Sequence, residues 1–288
     1  MAEESRPIGR PLSVREGVTR GYPPAVTFDV AAGAYDAFMG RYSSLLVGQM
    51  ADLAGVVPGR RAIDVGCGPG ALTAELVRRL GAENVAAVDP SAPFVEAARS
   101  RLPGVDVREA PAEALPFDDG SFDVALAQLV VHFMTDPVAG IREMARVTRP
   151  GGIVVACVWD FAGDRSPLSP FWAAVKAMEP DNAGESSLAG ARQGHLVEIF
   201  EAAGLRDVEE HVLAADLTHL TFEDWWNPFT AGVGPAGAHA KSLDATRRAE
   251  LRERIQAALP PAPFTIAASA WAARGVTPRA EPGRGVDR

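Results

Sequence analysis

Between Ala62 and Gly70 the chain reads Ala-Ile-Asp-Val-Gly-Cys-Gly-Pro-Gly, and a helical pattern follows at once. No other stretch restricts the fold as strongly. Ala62–Val65 is a short apolar run rich in β-formers. Glycines at Gly66, Gly68 and Gly70 let the backbone turn sharply and admit a ligand directly onto the peptide groups. The helix after them, Ala71–Leu80, begins with free N–H groups and the positive end of its dipole, which favour an anionic or polar ligand group. Strand, glycine loop and helix in this order point to a doubly wound α/β fold that binds a nucleotide-like cofactor.

The alternation continues to Asp160. Val85–Val88 reads as a second strand, Ala92–Arg101 as a helix, and Val105–Glu109 as a third, shorter strand. Phe122–Leu126 is the fourth, Pro137–Val147 a helix, and Ile153–Trp159 the fifth. Right-handed crossovers would stack these into one parallel sheet covered by helices. Asp118-Asp119-Gly120-Ser121 is a tight turn, and Arg149-Pro150-Gly151-Gly152 stops a helix before the fifth strand. After Asp160 the pattern loosens. Pro, Gly and Ser recur from Gly163 to Gly190, followed by a helix His195–Ala203 and a sixth strand Val208–Leu217. Thr221–Trp226 and Ala245–Ala258 are helical, Phe264–Ala273 is a final strand, and a helix over Gly33–Leu53 precedes the first strand. One domain is therefore expected over 21–276, with cap elements about 21–55, 163–190 and 221–258. The polar ends, 1–20 and 277–288, are expected to be disordered.

Charge and cysteine content narrow the function classes. The net charge is −9, and Lys176 and Lys241 are the only lysines, which argues against an extended phosphate footprint and a nucleic-acid partner. Two cysteines, Cys67 and Cys157, make neither a disulfide framework nor a zinc ribbon. The histidines lack partners at ligand spacing, so no metal is expected. With no signal layout and no apolar run near the roughly 20 residues that span a bilayer, a cytosolic protein is expected.

The glycine spacing discriminates between cofactors. A dinucleotide fingerprint is Gly-x-Gly-x-x-Gly, whereas here Pro69 separates Gly68 from Gly70 and Asp64 stands two residues before Gly66. This argues against a nicotinamide-dependent oxidoreductase. Asp89 ends the second strand, where a carboxylate takes hydrogen bonds from both ribose hydroxyls. Loop and acid together imply an adenosine-containing cofactor.

The segments Ala62–Gly70, Val-Asp-Pro-Ser at 88–91, Ala-Glu-Ala-Leu-Pro-Phe at 112–117, Ser-Phe-Asp-Val at 121–124 and Arg-Val-Thr-Arg-Pro-Gly-Gly at 146–152 occur in that order. Together they resemble the class I S-adenosylmethionine-dependent methyltransferases, and within them the branch of ubiquinone/menaquinone-pathway and small-molecule enzymes. The resemblance covers about Gly33 to Asp160. It implies a mostly parallel seven-stranded Rossmann-like sheet with a helical cap, and S-adenosylmethionine as cofactor with S-adenosylhomocysteine as product.

What the resemblance implies for residues follows position by position. Asp64 orients the loop, and the backbone at Gly66, Cys67 and Gly68 meets the methionine part. Asp89 holds the ribose, and Pro90 and Phe94 pack on the adenine. The backbone of Ala112 and the carboxylate of Glu113 address the adenine nitrogens. Gln128 lies under the sulfonium and amino-acid end. Tyr35 and Arg41, in the helix that closes over the cofactor, reach its carboxylate, Arg41 by a charge-assisted bond. One departure is Ala110-Pro111, where the family often has Gly-Asp; either Glu113 takes over that acceptor role or the contact is missing. His132, just past the fourth strand, is either a general base or a packing residue. Trp225 and Trp226 are lid packing or substrate contacts. The implied activity is methyl transfer to a small, partly apolar molecule by in-line displacement, with a non-catalytic cofactor-binding protein as the alternative.

Overall fold

The computed structural model describes residues 32–279. The expected disorder of 1–20 lies outside the described residues, as does the tail from Ala280. Seven strands form one sheet in the order β3-β2-β1-β4-β5-β9-β6: β1 Ala62–Val65, β2 Val85–Asp89, β3 Asp106–Glu109, β4 Phe122–Gln128, β5 Thr148–Trp159, β6 Arg206–Ala214 and β9 Ser269–Val276. The pairs from β3 through β5 are parallel, and β9 alone runs the other way, antiparallel to both β5 and β6. A small second sheet pairs β7 Leu217–His219 with β8 Phe264–Ile266.

Every residue of β1 and β2 is buried, because helices cover both faces of the parallel region. The helix Ala71–Leu80 packs Leu72, Leu76 and Leu80 onto the sheet and ends at Gly81 (φ 83°). Asp136 caps the helix Pro137–Val147 by accepting from the Ala139 N–H, and Pro137 supplies a preset first-turn φ. The chain runs outward through β2 and β3 and crosses back to β4. The reversal between β1 and β4 opens a crevice at the carboxyl ends of those strands.

Several expected boundaries move. β4 continues past Leu126 to Gln128, and β5 begins at Thr148 rather than Ile153. The expected strand Phe264–Ala273 is two strands, because the chain leaves β8 after Ile266 and enters the main sheet at Ser269. Likewise β6 ends at Ala214 and β7 starts afresh at Leu217. The N-terminal helix is broken into Ala32–Tyr35, a π-helical turn Asp36–Gly40, Arg41–Ser43 and Val47–Leu53. Thr277, expected in the flexible tail, is buried; its hydroxyl donates to the Arg149 carbonyl and accepts from the Gly152 N–H. Two helices, Ser169–Met178 and Gly234–Ser242, were not anticipated.

Candidate active site

The glycine loop leaves β1 at the crevice. Gly66 has φ 73°, and a Cβ there would lie 2.4 Å from Val130 Cγ2, so no side chain fits. At Gly68 (φ 53°) an added Cβ meets nothing within 4 Å, so this glycine faces open space where a ligand can approach the backbone. The Gly66 and Cys67 N–H groups donate to the Val88 carbonyl at 2.7 and 2.9 Å. They are therefore committed to bracing the loop on β2.

Asp89 ends β2, 6% exposed. Its Oδ2 accepts from the Gly68 N–H and its Oδ1 from the Ser91 N–H, both at 2.8 Å. Burial raises its carboxyl pKa against the opposing pull of those two amides. Each oxygen keeps a lone pair for a further donor. Asp64, buried in β1, accepts from Thr73 Oγ1 at 2.6 Å, joining the strand to the helix beyond the loop. Burial pushes its carboxyl up to about 7, so it is neutral or charged according to pH, a bracing group beneath the loop. Burial likewise pushes the Cys67 thiol far up, and it is no nucleophile.

Gln128 and Tyr35 complete the crevice. Gln128 Nε2 donates to the Ser43 carbonyl at 3.0 Å, while its Oε1 is buried with no hydrogen-bond partner. An orphaned buried acceptor is costly, and here it lies at the end of β4, where a ligand donor would satisfy it. Tyr35 meets the buried ring of Phe94 edge-on at 5.5 Å. Burial, reinforced by Asp89, pushes its phenol up to about 12.

Next to this crevice lies a small cavity of about 40 Å³, lined by Tyr35, Phe133, Trp159, Phe161, His132 and Glu185 among others. Leu129 follows β4 with φ 62°, a left-handed conformation uncommon outside glycine, and turns the chain into the short helix Val131–Phe133 that carries His132. His132 is buried between the rings of Phe133 (3.9 Å) and Phe161 (5.8 Å), and its Nδ1 has no partner. Burial alone pushes it down to about 3, so the imidazole is neutral at physiological pH. Glu185 is 2% exposed and accepts from Trp172 Nε1 through Oε2 at 2.8 Å. Burial pushes its carboxyl up to about 7.

Two expected site residues are engaged elsewhere. Arg41 forms a two-pronged pair with Asp224, at 2.9 and 3.1 Å, and donates to the Asp224 carbonyl, so it fastens the N-terminal segment to the helix Phe222–Trp226. Glu113 Oε1 accepts from the Thr135 and Asp136 N–H groups at 2.7 and 3.2 Å, holding the turn before the helix Pro137–Val147. Pro90 is exposed, while Ala112 is buried beside Glu113. Trp225 and Trp226 are buried against Phe222 and Phe229, as lid packing requires. Glu185 escaped sequence reasoning because it stands alone among Gly184, Ser186 and Ser187, without period or motif.

Residues 63–156 match the model of a family described as a methyltransferase domain. The rice protein named 2-methyl-6-phytyl-1,4-hydroquinone methyltransferase 2 is 34% identical over 151 residues, 52% of this chain and 40% of that one. The demethylmenaquinone methyltransferase of Clavibacter sepedonicus is 33% identical over 239 residues, 74% of this chain and 91% of that protein. The chain belongs to the class I S-adenosylmethionine-dependent methyltransferases. Among solved structures, the YcgJ protein of Bacillus subtilis aligns with a TM-score of 0.54 at 18% identity, covering 81% of this chain and 98% of that one, and shares the fold. The length shared with relatives varies, since this methyltransferase chain spans less than half of the rice protein.

The family's cofactor is S-adenosylmethionine, and the crevice fits it. The open face of Gly68, the spare lone pairs of Asp89 and the orphaned Gln128 Oε1 offer acceptors and room for a ligand rich in donors. Among the described residues no helix is long and apolar enough to cross a membrane.

Proposed function

We propose that this methyltransferase transfers a methyl group from S-adenosylmethionine to a small, partly apolar molecule held in the aromatic cavity beside Tyr35. The observation that carries this reading is the adjacency of two unlike compartments. A polar crevice with unused acceptors at Asp89 and Gln128 meets a small, mainly apolar cavity at Tyr35. The cofactor supplies an activated methyl group, so the protein's work is binding, orientation and exclusion of water.

Asp89 would hold the ribose hydroxyls, the Gly66 carbonyl and Gln128 Oε1 would receive the ammonium of the methionine part, and Phe94 would pack on the adenine. Pro90 and the backbone of Ala112 would line the adenine's edge, with Glu113 keeping Oε2 for it. Tyr35 would separate cofactor from acceptor. His132 would accept a hydrogen bond at a lone nitrogen and orient the acceptor; a group held near 3 is a weak base, which favours positioning over proton removal. Residues 163–190 and 221–258 would form the cap over the acceptor, within one domain spanning 21–276. The acidic balance supports a small-molecule acceptor over nucleic acid, and two unpaired buried cysteines support a reducing, cytosolic setting.

The test is release of S-adenosylhomocysteine from S-adenosylmethionine across a panel of small phenols, hydroquinones and amines. Turnover with at least one acceptor is expected. Tight cofactor binding without turnover on any would favour a non-catalytic role.

A further inference from the structure

The cavity beside Tyr35 holds one feature that a purely apolar acceptor does not need. Glu185 is almost wholly buried in its wall, yet only one of its carboxylate oxygens has a hydrogen-bond donor, Trp172 Nε1. Among the described residues no lysine or arginine lines the cavity. A buried carboxylate without a cation is expensive, and proteins normally pair it. The cavity is lined as well by the rings of Tyr35, Trp159 and Phe161. Aromatic faces attract a cation through their quadrupoles, and a carboxylate supplies its counter-charge. Rings and one acid, with no lysine or arginine among the described lining residues, are complementary to a positively charged ligand.

We propose that the acceptor is an amine on an apolar or aromatic body, and that Glu185 binds its ammonium and takes its proton. This rests on the methyltransferase reading of the same site. An ammonium has no lone pair to attack with, so one N–H bond must break first. The proton passes to the Glu185 carboxylate, giving a carboxylic acid and a neutral amine. The nitrogen lone pair then forms the N–C bond to the methyl carbon as the C–S bond breaks, its electron pair staying on sulfur. Burial has already brought the Glu185 carboxyl up to about 7, which narrows its gap to the ammonium and eases the proton transfer. The neutral imidazole of His132, in the same wall, adds no competing charge.

The experiment uses two probes of one shape, 1-naphthylmethylamine and 1-naphthalenemethanol, binding to the wild-type chain and to Glu185→Gln at pH 8 by ligand-observed NMR. The amine should bind the wild type about ten-fold more tightly than the alcohol. E185Q should abolish that preference and leave alcohol binding unchanged, which also shows that the cavity has kept its shape. Equal binding of both probes to the wild type, failure of the amine to bind, or a preference that survives in E185Q would each overturn the proposal. S-adenosylhomocysteine binding, measured on the same samples by calorimetry, reports separately on the cofactor reading. If it is absent while the amine preference holds, the methyltransferase reading falls and the amine site stands.

Discussion

Replacing Asp89 by alanine separates a cofactor site from a merely well-braced loop. The wild-type carboxylate holds the Gly68 and Ser91 N–H groups at 2.8 Å each, and its remaining lone pairs are assigned to the ribose. In the free protein, D89A strands two amides, but it also removes a carboxylate whose burial was unfavourable. The net cost is about 1–2 kcal/mol, a fall in melting temperature of a few degrees for a domain of this size. In the complex, two hydrogen bonds to a charged acceptor disappear at about 1.5–3 kcal/mol each. The dissociation constant for S-adenosylhomocysteine should therefore rise at least about a hundredfold. Isothermal titration calorimetry measures this directly, with circular dichroism to show that the variant is folded at the working temperature. Asp89→Asn, which retains one acceptor oxygen, should fall between wild type and D89A. A folded D89A that binds S-adenosylhomocysteine as the wild type does would refute the reasoning.

Other expectations follow from the same geometry. Arg41→Ala should leave S-adenosylhomocysteine affinity within about two-fold, because Arg41 is spent on Asp224, and should cost at most about 1 kcal/mol in stability at this partly exposed pair; a large loss of affinity by calorimetry would restore Arg41 to the cofactor. Gln128→Leu removes the orphaned acceptor and should weaken cofactor binding about ten-fold; equal affinity in a binding titration would argue that no ligand donor reaches it. Gly66→Ala drives a methyl into Val130 and strains a positive φ, so it should cost about 2–3 kcal/mol and abolish cofactor binding; a denaturant midpoint equal to that of the wild type would contradict the loop geometry. Glu185 is raised from 4.5 to about 7, so the folded protein holds its proton more firmly than the unfolded chain, and that stabilisation is lost as pH rises between those values. Measured against E185Q, wild-type stability should fall by about 3 kcal/mol over that window; urea curves that run parallel for both proteins at pH 4.5 and 7.5 would show that Glu185 is not buried as described.

The parallel half of the fold was legible because β1 and β2 are buried on both faces and must be continuously apolar, and because glycines and Asp136-Pro137 punctuate the helices. The cap was harder. The helix Ser169–Met178 opens on Ser-Pro within a stretch rich in turn formers, and Gly234–Ser242 is built from Gly and Ala with little apolar periodicity, so neither carried a local signal. Site residues divided in the same way. Asp89 and Gln128 were readable because strand ends place them at the crevice regardless of the cap. The Arg41 pairing carried no local signal, because its partner, Asp224, is 183 positions away in sequence. Glu113 Oε1 also serves the Thr135–Asp136 turn, a contact that no local pattern around Ala112-Glu113 discloses. Glu185 depended wholly on how the loop before the helix His195–Ala202 folds back over the cavity.

A crystal structure with S-adenosylhomocysteine bound tests the central claim most directly. The account requires the ribose hydroxyls on Asp89, an ammonium hydrogen on Gln128 Oε1, and the sulfur facing the cavity shared by Tyr35, His132 and Glu185. Ligand density elsewhere on the surface, or a sulfur turned away from that cavity, would contradict it.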